Sequence, residues 1–491
     1  MSATAGTVSP TIVSSSFLDS TDPWGAGSNV RSLVSHIHLY ATGAGKAKPN
    51  ISACQILSAA PTATVAVFYG VYLRAVSSGD VSPTIQGCEI GSGGTPTHDD
   101  NGMRYGVDAT AVGGGKTNFK LRNSTVHGCK KIGVDVASGT ANQVVSSPAI
   151  YNCTIEYNGW GASTSARYWE NRTESPSGGH GIRVWAQDRG QLAPTIRNNS
   201  PETSGRIANN WVDGVHIVAE GGGLPGGTTN TRVDQASVRQ NDIFGNGRCG
   251  VTGLARSAVV KMSVEANKIH ANAQCGVLGL ADDPAASENE TAYVESTLFN
   301  NRIFGTYVSG QPGTATQLRG VWNERTDDGG QARLREVHDP VAQNYIAGIS
   351  NVDPSPGGYN APYTYVENSI SWYNRPNGVD LQGFAPSGQI RFNDYLNAQK
   401  NYGSTNIRQL PKFKNRLSYD FHLLATPPYN GPSPCIDRAL NSPRPFSPPT
   451  DFEGDPRVID FQPVPNYFYV GTMNCADMGA DEVTDPPPPG T

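Results

Sequence analysis

Tyr105-Gly106-Val107-Asp108-Ala109 and Ile132-Gly133-Val134-Asp135-Val136 are two copies of one phrase: a glycine, a β-branched residue, a variable residue and another apolar one. The phrase returns as Tyr69-Gly70-Val71-Tyr72-Leu73, His180-Gly181-Ile182-Arg183-Val184 and Asp213-Gly214-Val215-His216-Ile217. Further on stand Cys249-Gly250-Val251, Cys275-Gly276-Val277, Phe304-Gly305-Thr306-Tyr307-Val308 and Asn377-Gly378-Val379-Asp380-Leu381. The glycines lie 36, 27, 48, 33, 36, 26, 29 and 73 residues apart, and the last interval fits two units with Gly348 between them. Self-similarity at such a period marks a repeat architecture of about ten units.

Two more phrases complete each unit. Cys54-Gln55-Ile56, Cys88-Glu89-Ile90, Ser124-Thr125-Val126, Cys153-Thr154-Ile155, Asn241-Asp242-Ile243, Asn267-Lys268-Ile269, Asn301-Arg302-Ile303 and Asn368-Ser369-Ile370 put Cys, Ser or Asn at one position. Pro-x-Ile opens several units, at Pro10, Pro49, Pro83, Pro148 and Pro194. Each unit thus holds three short strands with period-2 alternation, parted by Gly, Asn and Pro turns. Strands this short bury an apolar face only by stacking, each pairing in parallel with its equivalents about 4.8 Å above and below. The fold expected is an all-β parallel β-helix of about ten or more coils, with Val71, Val107, Val134, Ile182, Val215, Val251 and Val277 as an interior column and the recurrent Asn forming a hydrogen-bonded ladder. A β-sandwich does not predict a fixed phrase at coil-length intervals.

Composition agrees. Gly 56 and Pro 35 in 491 residues make a turn-rich chain poor in helix formers, which excludes a coiled coil or helical bundle. Charged residues are only 16%, with Lys+Arg 37 against Asp+Glu 42 and net charge -5, so the basic footprint of a nucleic-acid binder is absent. No apolar run is long enough to span a membrane, and Met1 to Pro10 lack the charged and apolar regions of a signal peptide. The chain is then either intracellular or without its leader.

The repeat resembles that of right-handed parallel β-helix proteins, the large secreted class of pectate and alginate lyases, polygalacturonases, mannuronan C5-epimerases and phage tailspikes. Ser433-Pro434-Cys435-Ile436-Asp437, Asp451-Phe452-Glu453-Gly454-Asp455-Pro456-Arg457 and Asp477-Met478-Gly479-Ala480-Asp481-Glu482 resemble the closing segment of bacterial secreted β-helix-repeat proteins. The resemblance implies a right-handed helix over residues 1–430, a capping segment at 431–483, a Pro-rich tail at 484–491, a secreted or cell-surface location and a polysaccharide partner. Fold alone does not fix the reaction. No amphipathic N-terminal cap is visible before Pro10, so the chain is expected to be a fragment or to have that end covered by another chain, with end-to-end self-association as one form.

Period-2 geometry also selects outward residues. If the residue after each glycine points inward, the next forms an outer column: Tyr72, Asp108, Asp135, Arg183, His216, Thr252, Leu278 and Tyr307. Asp108, Asp135, Arg183 and His216 are thereby expected side by side and facing water. His180 and Asp213 immediately precede two of the glycines, Trp185 follows Arg183 on the outer face as a platform for a sugar ring, and the long interval before Gly181 carries Trp160, Tyr168, Trp169, Glu170 and Arg172, which would wall a groove. Tyr105 and Tyr72 complete the substrate-binding candidates.

Two mechanisms fit. In a glycoside hydrolase, Asp108 and Asp135 supply the acid and the nucleophile or base, with Asp213 a wider partner. In a uronate lyase or epimerase, Arg183 neutralises the substrate carboxylate, His216 or His180 abstracts a proton, and Tyr105 or Tyr168 donates one. Tyr105-Gly106-Val107-Asp108 resembles the start of the Tyr-Gly-x-Asp-Pro-His phrase of mannuronan epimerases, but Ala109-Thr110 replaces Pro-His, so only Asp108 carries over. A non-catalytic structural, adhesive or glycan-binding surface protein is the alternative, and it predicts that the column is dispersed or salt-bridged on a flat face.

Other signals are weaker. Asp282, Asp283, Glu288 and Glu290 offer oxygens to Ca²⁺ without fixed ligand spacing. His98-Asp99-Asp100-Asn101 reads as a polar turn, and Gly221-Gly222-Gly223 lacks the strand and helix of a phosphate cradle. Asn171-Arg172-Thr173 and Asn289-Glu290-Thr291 match the glycosylation sequon. Of the eight cysteines, Cys54, Cys88 and Cys153 are expected in the ladder, Cys249 and Cys275 as stacked buried thiols, and Cys435 with Cys475 as the favoured disulfide. No Cys-x-x-Cys occurs, which argues against a thiolate zinc site.

Overall fold

The computed structural model describes residues 1–18, 35–58, 69–92, 103–139, 145–159, 178–199, 205–221, 231–282, 292–305, 317–326, 330–352, 364–374, 379–383, 389–398, 405–425, 431–439, 449–457, 476–479 and 483. They form two compact units, Met1–Met262 with Leu280–Val294, and Ser263–Gly279 with Glu295–Thr491. No α-helix occurs among the described residues.

In the first unit the glycine phrases become the strands Tyr69–Val76 (β3), Tyr105–Val112 (β4), Ile132–Gly139 (β5), Ile182–Gln187 (β6), Val215–Glu220 (β7) and Cys249–Arg256 (β8), and two strands without the phrase, Ser2–Ala3 (β1) and Ser35–Thr42 (β2), precede them. They stack in sequence order as one parallel sheet. The Pro-x-Ile phrases form a second parallel sheet, in which Ile12, Ile51, Ile85, Leu121, Ile150 and Ile196 are register partners. The Cys/Ser/Asn phrases form a third, through Ile56, Ile90, Val126, Ile155, Ile207 and Ile243. Three sheets wound coil upon coil make a parallel β-helix. The second unit repeats the pattern with Arg319–Arg325 (β9), Ala347–Val352 (β10) and Val379–Gln382 (β11), again parallel and in order.

Local chemistry explains each corner. Proline has no N–H to give the ladder, but its carbonyl accepts: Asn50 N–H donates to Pro10 O at 3.0 Å, and Thr84 N–H to Pro49 O at 3.0 Å. Between the second and third sheets the chain turns through one left-handed residue per coil, Ala53, Gly87, Asn123, Asn152, Asn198 and Gln240 in turn. The repeated glycine answers to space. A Cβ on Gly106 would lie 2.6 Å from Gly133 O and 2.6 Å from Val126 Cγ1, so the chain approaches the next coil too closely for a side chain.

The interior is apolar: Val71, Val107, Val134, Ile182, Val215 and Val251 are fully buried, as expected. The polar ladder is present. Cys88 N–H donates to Ser124 Oγ, Cys153 N–H to Asn199 Oδ1, and Asn199 N–H and Nδ2 both to Asn241 Oδ1. A parallel ladder of Cys129, Asn158, Asn210 and Asn246, not anticipated from the sequence, serves the corner that enters the first sheet. In the second unit the phrase at Asn368 is one residue out of register. Ser369, not Asn368, receives Asp339 N–H, and Asp339 itself occupies the ladder position.

Two cysteine expectations are corrected. Cys249 and Cys275 are disulfide-bonded rather than stacked thiols. Cys435 is a free buried thiol donating to Asp394 Oδ2 at 3.1 Å, so the pairing with Cys475, which lies outside the described residues, does not form. The described part of the C-terminal segment packs Phe413, Phe421, Leu423, Cys435, Ile436, Ala476 and Met478 against Phe304, Ala342, Ile370 and Trp372. Phe304 and Ala342 are register partners, as are Ala342 and Trp372, so the segment buries one apolar column of the third sheet in that unit. The tail at 484–491 falls outside the described residues.

Candidate active site

The register is as expected: Tyr72 pairs with Asp108, Asp108 with Asp135, Asp135 with Arg183, Arg183 with His216 and His216 with Thr252, on β3 through β8. Side chains of the same parity, Thr110, Trp185, Gln187 and Glu220, are partly exposed, whereas the opposite parity fills the core, so the column lies on the outer side. It does not face water freely, however. Asp108 is 8% exposed, Asp135 4%, Arg183 6% and His216 3%, which corrects the solvent-facing expectation. The reason is mutual cover. Arg183 grips Asp135 with Nε to Oδ1 at 2.8 Å and NH2 to Oδ2 at 2.5 Å, and the same guanidinium lies 4.7 Å from the centroid of the Trp185 ring.

Asp108 and Asp135 occupy the same position on adjacent rungs but differ in partners. Asp108 accepts from the Thr110 hydroxyl at 3.0 Å. Burial, then the negative charge of Asp135, pushes its carboxyl up to about 8, so it holds a proton at neutral pH. Asp135 is paired with the Arg183 guanidinium. Beside them runs an aromatic stack, with Tyr69 on Tyr72 at 4.7 Å, Tyr69 on Tyr105 at 5.4 Å and His38 on Tyr72 at 4.9 Å. Burial and nearby carboxylates raise the Tyr105 phenol to about 12, so it remains protonated. Tyr72 is enclosed in this stack and offers little face, while Tyr69 and Tyr105 are partly exposed.

One coil further, the residues before the glycines join the column. Strict alternation would send residues i and i+3 to opposite faces, but the bend at the glycine brings them together. His216 Nδ1 lies 2.8 Å from Asp213 Oδ2, and His180 Nδ1 lies 3.5 Å from the same oxygen. The two imidazoles stack at 4.2 Å with planes 8° apart. Burial holds both imidazoles neutral, lowering His216 and taking His180 down to about 3. Burial opposes the charge of Asp213, yet Arg248 and the two histidines hold its carboxyl well below the usual range. Arg248 donates Nε to Oδ1 at 2.8 Å and NH2 to Oδ2, and Cys249 N–H adds a bond to Oδ1 at 3.1 Å.

The structure therefore assembles two groups along one face, an Asp108–Asp135–Arg183 row and a His180–Asp213–His216–Arg248 cluster. Trp185 is not a bare platform: one face carries Arg183 and its indole N–H donates to Glu220 Oε2 at 3.0 Å. Asp282 is held by Arg256 at 3.2 Å. Tyr168 and Trp169, together with Trp160, Glu170, Arg172, the 98–101 loop, Asp283, Glu288 and Glu290, lie outside the described residues. Sequence reasoning passed over Arg248 and Tyr69. Both are legible once the pre-glycine position is treated as a second outer column, because Tyr69 shares it with Tyr105 and Arg248 stands one residue before it.

Comparison with known proteins adds one similarity. A solved structure, the periplasmic alginate epimerase AlgG, aligns with 70% of this chain and 76% of its own at 11% identity, with a TM-score of 0.31. At that level the likeness bears on neither activity nor site, and the β-helix rests on the strand pairing above. No family model matches the chain, and no curated protein matches it in sequence.

Proposed function

We propose that this chain is an extracellular carbohydrate-active enzyme that hydrolyses a polysaccharide on the outer face of the β-helix, with Asp108 as proton donor and Asp135 as its ionised partner. The observation that carries the reading is the pair itself: two carboxyls on adjacent rungs in unlike environments, one neutral at pH 7 and one matched to a guanidinium. Pairs whose surroundings separate their protonation states are how acid and base roles are divided. Rungs about 4.8 Å apart approach the roughly 5–5.5 Å carboxyl separation of retaining glycosidases, in which the second carboxylate is the nucleophile. Tyr69 and Tyr105 supply ring faces beside the pair for a sugar.

A lyase reading is less well supported. It asks Arg183 to neutralise a substrate carboxylate, and Arg183 already commits its Nε–NH2 edge and its charge to Asp135. The non-catalytic reading has one observation in its favour, the low exposure and internal pairing of the column, which a purely structural ionic row would share.

The test is incubation with a panel of neutral and uronic polysaccharides, following reducing ends and unsaturated-uronate absorbance together. Hydrolysis predicts new reducing ends without absorbance, and a loss of about 10²–10⁴-fold in Asp108→Asn, the usual contribution of a general acid. Absorbance growth would transfer the assignment to a lyase. Silence in both channels from folded protein would leave a binding or structural role.

A further inference from the structure

The second sheet of the first unit carries a charge pattern of its own. At one register position its consecutive rungs bear Gln86, Arg122, Tyr151, Arg197 and Arg239. Their neighbours Leu121, Ile150, Ile196 and Val238 fill the core, while Arg122, Arg197 and Arg239 are exposed and Tyr151 is partly so. Lys116 and Lys120, exposed in the same coil as Arg122, widen the row. We infer that this basic row is a binding surface for a linear acidic polysaccharide whose carboxylate or sulfate groups lie along the stack, separate from the Asp108–Asp135 pair on the first sheet. The inference shares with the hydrolase reading only the choice of a polysaccharide partner and uses none of that site's residues.

Charge segregation is the first support. The whole chain has net charge -5, so a row of unopposed cations is not what its composition supplies. On the third sheet, outward charges are matched from rung to rung, His127 with Glu89 at 3.3 Å and Arg206 with Glu156 at 2.7 Å. On the second sheet, no carboxylate pairs with Lys116, Lys120, Arg122 or Arg197 among the described residues. Arg197 and Arg239 stand directly opposite each other, a like-charge pairing that adjacent strands ordinarily avoid. The Arg197 guanidinium lies 4.8 Å from the centroid of the Tyr151 ring, which holds it on the side of Arg122 and keeps the row continuous. An anion laid along the row would neutralise charges that the protein itself leaves unmatched.

The direction of the row selects the partner. It runs along the stack rather than along a strand, and with rungs about 4.8 Å apart the positions from Arg122 to Arg239 span about 14 Å. An extended acidic glycan carries its charges one sugar ring apart, a repeat of comparable length, and a rigid sheet holds the matching donors in register. Guanidinium forks suit such planar oxyanions, because each takes two oxygens at once. A nucleic acid fits less well. The row is narrow and offers one aromatic ring, with Arg197 over it, where binders of single strands use several rings as stacking platforms.

The experiment measures binding of the full-length protein to polygalacturonate, dextran sulfate and neutral dextran by calorimetry, with Asp108→Asn protein alongside so that turnover does not intervene. Saturable binding to at least one polyanion, none to dextran, and weakening with added salt are expected. The preferred polyanion tells carboxylate from sulfate recognition. Arg122→Gln and Arg197→Gln should each lower affinity about tenfold, the worth of one hydrogen bond to a charged group, with the melting temperature unchanged. Arg206→Gln removes the same charge from the third sheet and should bind as the wild type does. Folded wild-type protein that binds neither polyanion would overturn the inference, as would an equal loss in Arg206→Gln and Arg122→Gln. Tighter binding of a single-stranded thymidine oligonucleotide than of either glycan would overturn the choice of partner. Reducing ends followed in the same samples keep the two readings apart: binding without cleavage sinks only the hydrolase, and cleavage of a neutral glycan without polyanion binding sinks only the basic row.

Discussion

Asp108 shows how one residue's surroundings set its role. Its carboxyl is lifted to about 8 by burial and by the charge of Asp135, so it is neutral when folded and ionised at neutral pH when unfolded. A carboxyl raised in the folded state contributes fully only below its unfolded value, near 4, and that contribution is lost as pH rises toward 8. Two outcomes follow. Activity that needs the acid form should fall as pH climbs through about 8. Asp108→Asn should raise the melting temperature at pH 7 while lowering turnover, and a variant that lost both would show that the carboxyl serves structure instead. Asp135 predicts the reverse. Asp135→Asn leaves Arg183 buried without its partner, a change that costs about 3–5 kcal/mol, measurable as a shift in the denaturant midpoint.

At the scale of the element, the ladder is the informative feature. Asn301 Oδ1 accepts from Asn267 N–H and Nδ2, and Asn301 in turn donates Nδ2 to Val264 O and its N–H and Nδ2 to Asp339 Oδ1. Asp339 stands where the pattern elsewhere has Asn, and its Oδ2 finds no partner. Burial pushes both Asp339 and the neighbouring Glu336 well above the carboxylate range, so each is neutral in the fold. By the same sign argument, stability carried by these two acids declines as pH rises above 4. Asp339→Asn restores an amide donor and should stabilise the protein at pH 7 and flatten that decline, read by melts across pH. Gly106→Ala makes the opposite case. It places a methyl against Gly133 O and Val126, and should cost about 1–3 kcal/mol, the usual penalty for overpacking.

For the whole molecule, the two units have distinct sources of cohesion. The first is held by three stacked sheets and their ladders. The second adds an apolar cluster in which Ile407, Phe413, Phe421, Leu423, Ile436 and Met478 pack with Phe304, Ala342, Ile370 and Trp372. Truncation after Asn397 should uncover that column, giving dye binding to apolar surface and aggregation rather than a soluble shortened helix. Survival of a monomeric, cooperatively melting truncated protein would show that the segment is dispensable.

Much of this was legible in the chain because a coil repeat is local chemistry written many times over. The glycine spacing, the Pro-x-Ile openings and the small polar residue at the ladder gave the β-helix, and the register that sets Asp108, Asp135, Arg183 and His216 on consecutive rungs follows from counting two residues past each glycine. Counting could not supply the bend at the glycine that folds His180 and Asp213 onto the same face as His216, nor Arg248 closing on Asp213 from an adjacent coil. It also could not show that the outer column is buried, that Ser369 and Asp339 take the ladder positions, or that Cys249 and Cys275 are oxidised while Cys435 is not. Period fixes which residues are neighbours along the stack; which side chains pair, and which are thereby removed from water, is decided only when all the coils are packed together.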